Sequence, residues 1–201
     1  MSKINENPES IFEDIKKLLK KGVKDRSHAY HTPTFSNISK NNCLNSRVIV
    51  LRKFDEKKLL LNFHTDLRSP KVKDLIENNK SNFLFYDSTI KIQLRIQTIS
   101  IINNQNNLTK ESWNLTSLSS RKCYLTTKAP SSKTTIPQDG LPKNLIGIDP
   151  SKEISEQGYK NFTVIENKIK NIDWLYLSSL GHRRLKINFN KVKPEFFWII
   201  P

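Results

Sequence analysis

Cysteine is scarce in this chain. Cys43 and Cys123 are the two in 201 residues, far apart and without Cys-x-x-Cys or Cys/His ligand spacing, which argues against a disulfide framework or a zinc site. No metal is expected, and both thiols read as ordinary buried or surface groups. Any apolar run long enough to span a membrane is also lacking, and Met1-Ser-Lys-Ile-Asn-Glu-Asn has none of the apolar h-region of a signal peptide. The expectation is a cytoplasmic protein with no membrane partner. No helix-turn-helix, zinc finger or aromatic RNA platform accompanies the formal net charge of +15, and the lysines are scattered among abundant Asn and Ile rather than gathered into a stripe. We therefore expect no nucleic-acid partner, with the basic excess helping to capture an anionic, phosphorylated ligand. The length suits one domain spanning residues 1–201 with a substantial core.

What is present begins with an amphipathic helix within residues 1–26. Asn7 is placed to cap it and Pro8 to begin it, acidic residues lie near its start and lysines near its end, and Gly22 falls just past it. Ile11, Phe12, Ile15, Leu18 and Leu19 recur at helical spacing. From His28 to Phe35 the chain reads as an extended strand, with His28 and His31 as ordinary polar residues of it.

The stretch from Arg47 to Lys71 is the most informative. Arg47-Val48-Ile49-Val50-Leu51-Arg52 is a β-branched run closed at both ends by a guanidinium, and alternation sends Arg47 and Arg52 to opposite faces unless the strand is bulged or meets an interface. After the short hairpin Phe54–Lys58, the run Leu59–Phe63 leads into His64-Thr65-Asp66-Leu67-Arg68-Ser69-Pro70-Lys71. A short helix follows over Val72–Asn78, with Arg68, Ser69 and Lys71 at its start. Free backbone N–H groups, a hydroxyl and two cations at a helix N-terminus suit a phosphate. Further strands are expected over Phe83–Asp87 and Lys91–Ile102, the latter placing Gln93 and Arg95 on one face. Helical segments are expected over Leu108–Trp113 and through Ser117–Arg121, followed by a long flexible loop over 126–155 rich in Pro, Ser, Thr and Lys. Three strand-like runs, Phe162–Ile169, Ile172–Leu177 and Arg184–Phe189, complete an antiparallel meander joined by turns.

These spaced motifs, with Lys91-Ile-Gln-Leu-Arg-Ile96, resemble the pyridoxamine 5′-phosphate oxidase family, more closely its oxidase-related branch of FMN-binding split barrels. The likeness runs from about Arg47 to the end of the chain. It implies a mainly β fold with peripheral helices (α+β), an FMN-binding split β-barrel, and a homodimer with flavin sites built across the interface. It also implies FMN as cofactor and a small-molecule substrate oxidised by flavin chemistry.

The resemblance implies flavin contacts from Arg47, Val48, Ile49, Val50, Leu51, Arg52, His64, Thr65, Arg68, Ser69 and Lys71. Gln93 matches a glutamine that hydrogen-bonds the flavin ring, and Ser119 a hydroxyl near the flavin phosphate of the partner subunit. Trp174 and Arg184, ten residues apart, match the family's flavin-contacting tryptophan and arginine. Arg52 and His182 match substrate-contact positions. Leu118 and Leu180 depart from the pattern where a glutamine and an arginine are usual, and the Tyr, Arg and Ser contacts to a substrate phosphate in the vitamin B6 oxidases have no clear match. The expectation is an FMN-dependent oxidoreductase of unknown substrate with no assigned catalytic residue. The alternatives are a genuine pyridoxamine/pyridoxine 5′-phosphate oxidase and a non-catalytic flavin-binding protein.

Overall fold

The computed structural model describes residues 6–189 and 191–201. Helix α1, Pro8–Lys24, starts where expected: the Asn7 side chain accepts from the Ser10 amide at 2.8 Å, and Pro8 occupies the first turn. Ile11, Ile15 and Leu19 form its buried stripe. Gly22 does not stop the helix, which runs two residues further. A Cβ there would meet the backbone and Cβ of Tyr30 at 2.8 Å, so its role is the close approach of the next segment.

That segment corrects the strand expected over His28–Phe35. Ala29–His31 is a 3-10 turn capped by His28, whose Nδ1 accepts from the Tyr30 amide at 3.1 Å. Strand β1 begins only at Thr34. Local side-chain capping and full burial of Tyr30 override the extended preference.

The strands are β1 (Thr34–Ile38), β2 (Leu44–Val48), β3 (Lys53–Asp55), β4 (Leu60–Asp66), β5 (Lys80–Asp87), β6 (Ile92–Asn103), β7 (Phe162–Tyr176), β8 (Arg183–Asn188) and β9 (Glu195–Trp198). They form one antiparallel sheet in the order β2-β1-β5-β6-β7-β4-β3, with β8 on β7 and β9 on β8. The two runs expected as separate strands, Phe162–Ile169 and Ile172–Leu177, are the single strand β7. Opposite them, Thr98 pairs Ile169 but Gln97 pairs Asn171, so Lys170 is the extra residue of a bulge, not a turn. The bulge lets β7 serve β4 with its first half and β8 with its second.

The ends of the sheet path, β2 and β3, are consecutive in the chain. Between them Ile49 and Leu51 donate backbone N–H to Pro33 (3.0 Å) and His31 (2.9 Å), and Arg52 donates to Asn62 (2.8 Å). The expected Arg47–Arg52 strand is therefore divided between the end of β2 (Arg47, Val48) and a crossing segment over 49–52 that leads into β3.

One sheet face packs Phe35, Phe63, Phe83 and Phe85 with Leu94, Ile96, Ile172, Trp174, Leu185 and Ile187, and α1 covers it with Ile11, Ile15 and Leu19. Removing such apolar surface from water is the main stabilising term. A second cluster lies on the other face, where α3 (Asn107–Asn114) sets Trp113 against Tyr124, Phe162 and Val164. Helix α4 (Leu118–Arg121) ties it to α5 (Lys152–Glu156): the Arg121 guanidinium lies over the Trp113 ring and donates to Glu156 at 2.7 Å. The segment expected as a loop over 126–155 thus contains α5 and a 3-10 turn at Lys143–Leu145, with Leu145 buried. No helix among the described residues is long and apolar enough to cross a membrane.

Candidate functional site

The turn after β4 builds a cationic cradle. Helix α2, Pro70–Glu77, has Ser69 as N-cap and Pro70 in its first turn, but the Ser69 hydroxyl makes no capping bond. Instead Lys71 Nζ donates to Thr65 Oγ1 at 2.8 Å and to Ser69 Oγ at 3.2 Å. Arg47, on the core-side face of β2, reaches the same helix: Nη1 donates to Asn37 Oδ1 and to the Asn45 carbonyl (3.1 Å), while Asn37 donates to Asp74 at 3.2 Å. Burial, and next the Arg47 charge, push the Lys71 ammonium below the usual lysine range, with Asp66 pulling the other way. A desolvated ammonium held by two hydroxyls beside a guanidinium is short of negative charge.

Arg68 sits next to this cradle with its donors engaged. Its Nε and Nη2 donate to the Asp66 carboxylate at 3.0 and 2.7 Å, and Nη1 and Nη2 to the carbonyl and hydroxyl of Thr126 at 3.0 and 2.9 Å. It staples the long 126–155 segment to the cradle. The neighbouring Val48 is exposed on the opposite face, Ile49 and Leu51 enter the core, and Val50 is half-buried.

Arg52 and His64 meet elsewhere. They line a recess of about 440 Å³ between β3–β4, the end of α1 and the α3–α4 turn, together with Asn62, Ser117 and Ser120. Burial, with a smaller push from Arg52, lowers the His64 imidazole to about 4, so it is neutral at pH 7. Its ring packs edge-on against Phe162 at 4.8 Å.

A third group lies on the outer sheet face. Tyr86, Gln93, Leu175 and Arg184 occupy one cross-strand row. In the next row Asp173 accepts from Arg95 at 2.5 Å and from Arg184 at 2.8 Å. Burial pushes the Asp173 carboxyl up, but hydrogen bonds from Arg184 and Arg95 outweigh it and leave it below the usual range. Trp174 points the other way, into the core, pairs with Leu185 and meets Trp198 at 6.5 Å. His182 lies in the β7–β8 turn, its Nδ1 accepting from the Ser178 amide at 2.9 Å. With Arg184 and Trp198 it lines a surface cavity of about 470 Å³. Ser119 is exposed on α4, its hydroxyl 3.0 Å from that of Ser117.

Within one chain, then, the sequence-derived residues fall into separate groups: Arg47, Thr65, Ser69 and Lys71 with Arg68 beside them; Arg52 with His64; Gln93 with Arg184. His182 shares a surface cavity with Arg184, while Trp174 and Ser119 stand apart from these groups. Asn37, Asp74 and Asn62 went unnoticed in the sequence. For Asn62 a signal existed, since it is the amide interrupting the apolar run Leu59–Phe63. Among the described residues no group of three or more His, Cys, Asp or Glu is arranged for a metal.

Comparison with known proteins places this geometry. Residues 13–104 match the FMN-binding domain of pyridoxamine 5′-phosphate oxidase. No curated protein matches the sequence. Among solved structures, a pyridoxamine 5′-phosphate oxidase-related, FMN-binding protein from Nostoc punctiforme PCC 73102 superposes with a TM-score of 0.70 at 18% identity, covering 94% of this chain and 96% of its own. PhzG from Burkholderia lata 383, solved with tetrahydrophenazine-1-carboxylic acid, gives 0.71 at 15% identity, covering 98% and 95%. A protein related to general stress protein 26 from Clostridium acetobutylicum gives 0.51 at 14%, covering 95% and 96%. At these identities the structural likeness establishes the fold. By that fold and by the match over residues 13–104, the chain is similar to the pyridoxamine 5′-phosphate oxidase-related FMN-binding proteins, and FMN is the cofactor of the domain it matches.

Proposed function

We propose that this chain is an FMN-dependent oxidoreductase, one domain over residues 1–201, acting on a small molecule in the cytoplasm as a homodimeric split β-barrel. The observation that carries the reading is the Lys71 cradle, where a half-buried ammonium, two hydroxyls and Arg47 converge without a carboxylate bonded to Lys71. A phosphate would supply the missing charge, so the residues fit FMN. Lys71, Thr65 and Ser69 would hold the phosphate, and Arg47 would reinforce it through its field. Gln93 can donate and accept toward the ring and Arg184 can meet its polar edge. Bound FMN supplies two-electron redox chemistry, so the protein need only bind, orient and exclude water.

The barrel reading is supported by the segment 49–52, which bonds both edge regions of the sheet. Dimerisation is supported by the outer face. Val48 (66% exposed) and Leu84 (37%) both pair with Thr34 in one row, with Tyr86 (46%) beside them, and large aligned apolar side chains on a sheet face favour cover by a second copy. A dimer would also let Gln93 and Arg184 of one copy approach the cradle of the other.

The test is direct. Purified protein should carry a flavin that mass spectrometry identifies as FMN, sediment as a dimer at micromolar concentration, and reduce its flavin with a small-molecule donor. Val48→Asp should yield monomers with weakened FMN retention. A monomer that binds FMN stoichiometrically would overturn the dimer, and flavin that no donor reduces would favour a storage role.

A further inference from the structure

Behind Arg47 runs a buried polar relay. Asn37, on the core-side face of β1, is 2% exposed, and Asp74, on α2, is 8% exposed. The Asn37 amide nitrogen donates to Asp74 Oδ2 and to the Ile38 carbonyl, each at 3.2 Å. Its oxygen is thereby turned to Arg47, whose Nη1 donates to it. The opposite setting of the amide would face oxygen to carboxylate and N–H to guanidinium, so Asp74 decides which way Asn37 points. The second Asp74 oxygen accepts from the Lys40 amide at 3.4 Å, which ties α2 to the turn between β1 and β2.

A second observation concerns charge. Among the described residues Asp74 is bonded to no cation, and a buried carboxylate in that condition is costly. Arg47 carries the opposite charge one amide away. Burial pushes its guanidinium below the usual arginine range, and the Asp74 charge pulls the other way. Nη1 is engaged by Asn37 and the Asn45 carbonyl, and the guanidinium lies over the Phe35 ring at 5.8 Å. Nε and Nη2, the edge that can fork an anion, have no hydrogen-bond partner among the described residues.

We propose that Asp74 and Asn37 are the positioning residues of the cradle: Asp74 orients the Asn37 amide, and Asn37 holds Arg47 by Nη1 so that its charge and its free edge serve a phosphate. The relay therefore sets how strongly the site prefers a flavin with a phosphate over one without. Neither residue needs to touch the flavin. That the phosphate is the one of FMN rests on the FMN-dependent reading.

Fluorescence titration of the full chain, stripped of flavin, with FMN and with riboflavin tests it. The parent should bind FMN more tightly than riboflavin by about tenfold or more. Asn37→Ala and Asp74→Ala should each weaken FMN by about tenfold while leaving riboflavin within about twofold. Asp74→Asn keeps an acceptor for the Asn37 amide and should hold FMN within about threefold of the parent. In an Arg47→Ala background, Asn37→Ala should add no further loss, because it acts through that guanidinium. Equal loss of both flavins would mark a merely structural role. That result, an unchanged preference for FMN, or an additive loss with Arg47→Ala would each overturn the relay. If Asn37→Ala fails to fold, Asp74→Ala, alone and with Arg47→Ala, carries the same test. A parent that binds neither flavin removes the FMN-dependent reading, and the relay with it. A parent that prefers FMN, with variants that keep the preference, removes the relay alone.

Discussion

The cradle at α2 and the recess at α1 are both cationic, and they handle charge in opposite ways. In the cradle each cation is already held: Lys71 by two hydroxyls, Arg47 by Asn37 and Asn45, Arg68 by Asp66 and Thr126. In the recess Lys24, Arg26, Arg52 and Lys53 are exposed and unbonded. A pre-bonded, partly desolvated cluster loses little side-chain entropy when an anion arrives and feels it in a lower dielectric, which suits a resident cofactor. An open ring of long side chains gives weaker, salt-sensitive capture, which suits a ligand that must leave.

The largest effect should come from emptying the cradle. Lys71→Ala removes a charge-assisted contact worth about 1.5–3 kcal/mol and Arg47→Ala removes the field beside it, so in the double variant FMN affinity in a fluorescence titration should fall by at least about one to two orders of magnitude. Arg52→Ala should leave FMN affinity within about threefold. Equal losses in both would dissolve the distinction between the two regions.

Acid should strike the recess side first. The folded His64 pKa of about 4 lies below its ordinary 6.5, so between these values the unfolded chain binds the proton that the folded chain refuses. Stability is unaffected above the unfolded value and falls as pH drops below it, by about 2 kcal/mol between about pH 7 and pH 5. Urea denaturation at the two pH values should show the loss, and His64→Gln should remove it.

Smaller still are two orphaned polar groups. Tyr30 Oη and Asn62 Oδ1 are both buried without a partner. Tyr30→Phe and Asn62→Leu should each stabilise the fold by about 1 kcal/mol in urea titrations. Last, Arg68→Ala should cost less than about 1 kcal/mol of global stability, since its ion pair is partly exposed. Freed from Thr126, the segment after it should be cut faster by trypsin at Lys128 and Lys133.

Much of the fold was legible in local signals. The α1 cap and stripe and the alternation of β6 depend on neighbours within a few residues, and each appears where sequence places it, while α2, expected over Val72–Asn78, begins two residues earlier because Pro70 fits its first turn. The failures share one cause. The single strand β7, the 3-10 turn at Ala29–His31 and the break after Val48 depend on what lies across the sheet, which no local pattern contains. The same division runs through the candidate site. The basic turn from His64 to Lys71 announces an anion, but not that Arg68 is committed to Thr126, or that Arg47 turns toward α2 while Arg52 turns toward α1.

The sequence by itself determined the start of α1, the strand periodicity, the scarcity of thiols and the concentration of cationic and hydroxyl side chains in residues 47–71, because these follow from residue type and short spacing. Tertiary structure decided which cations are satisfied and which are not. It set Asn62 without a partner among Lys24, Arg26, Arg52 and Lys53, residues up to 38 positions apart in the chain. The physical reason is that hydrogen-bond satisfaction and desolvation are properties of the space around a side chain, and that space is assembled only when distant strands and the end of α1 meet.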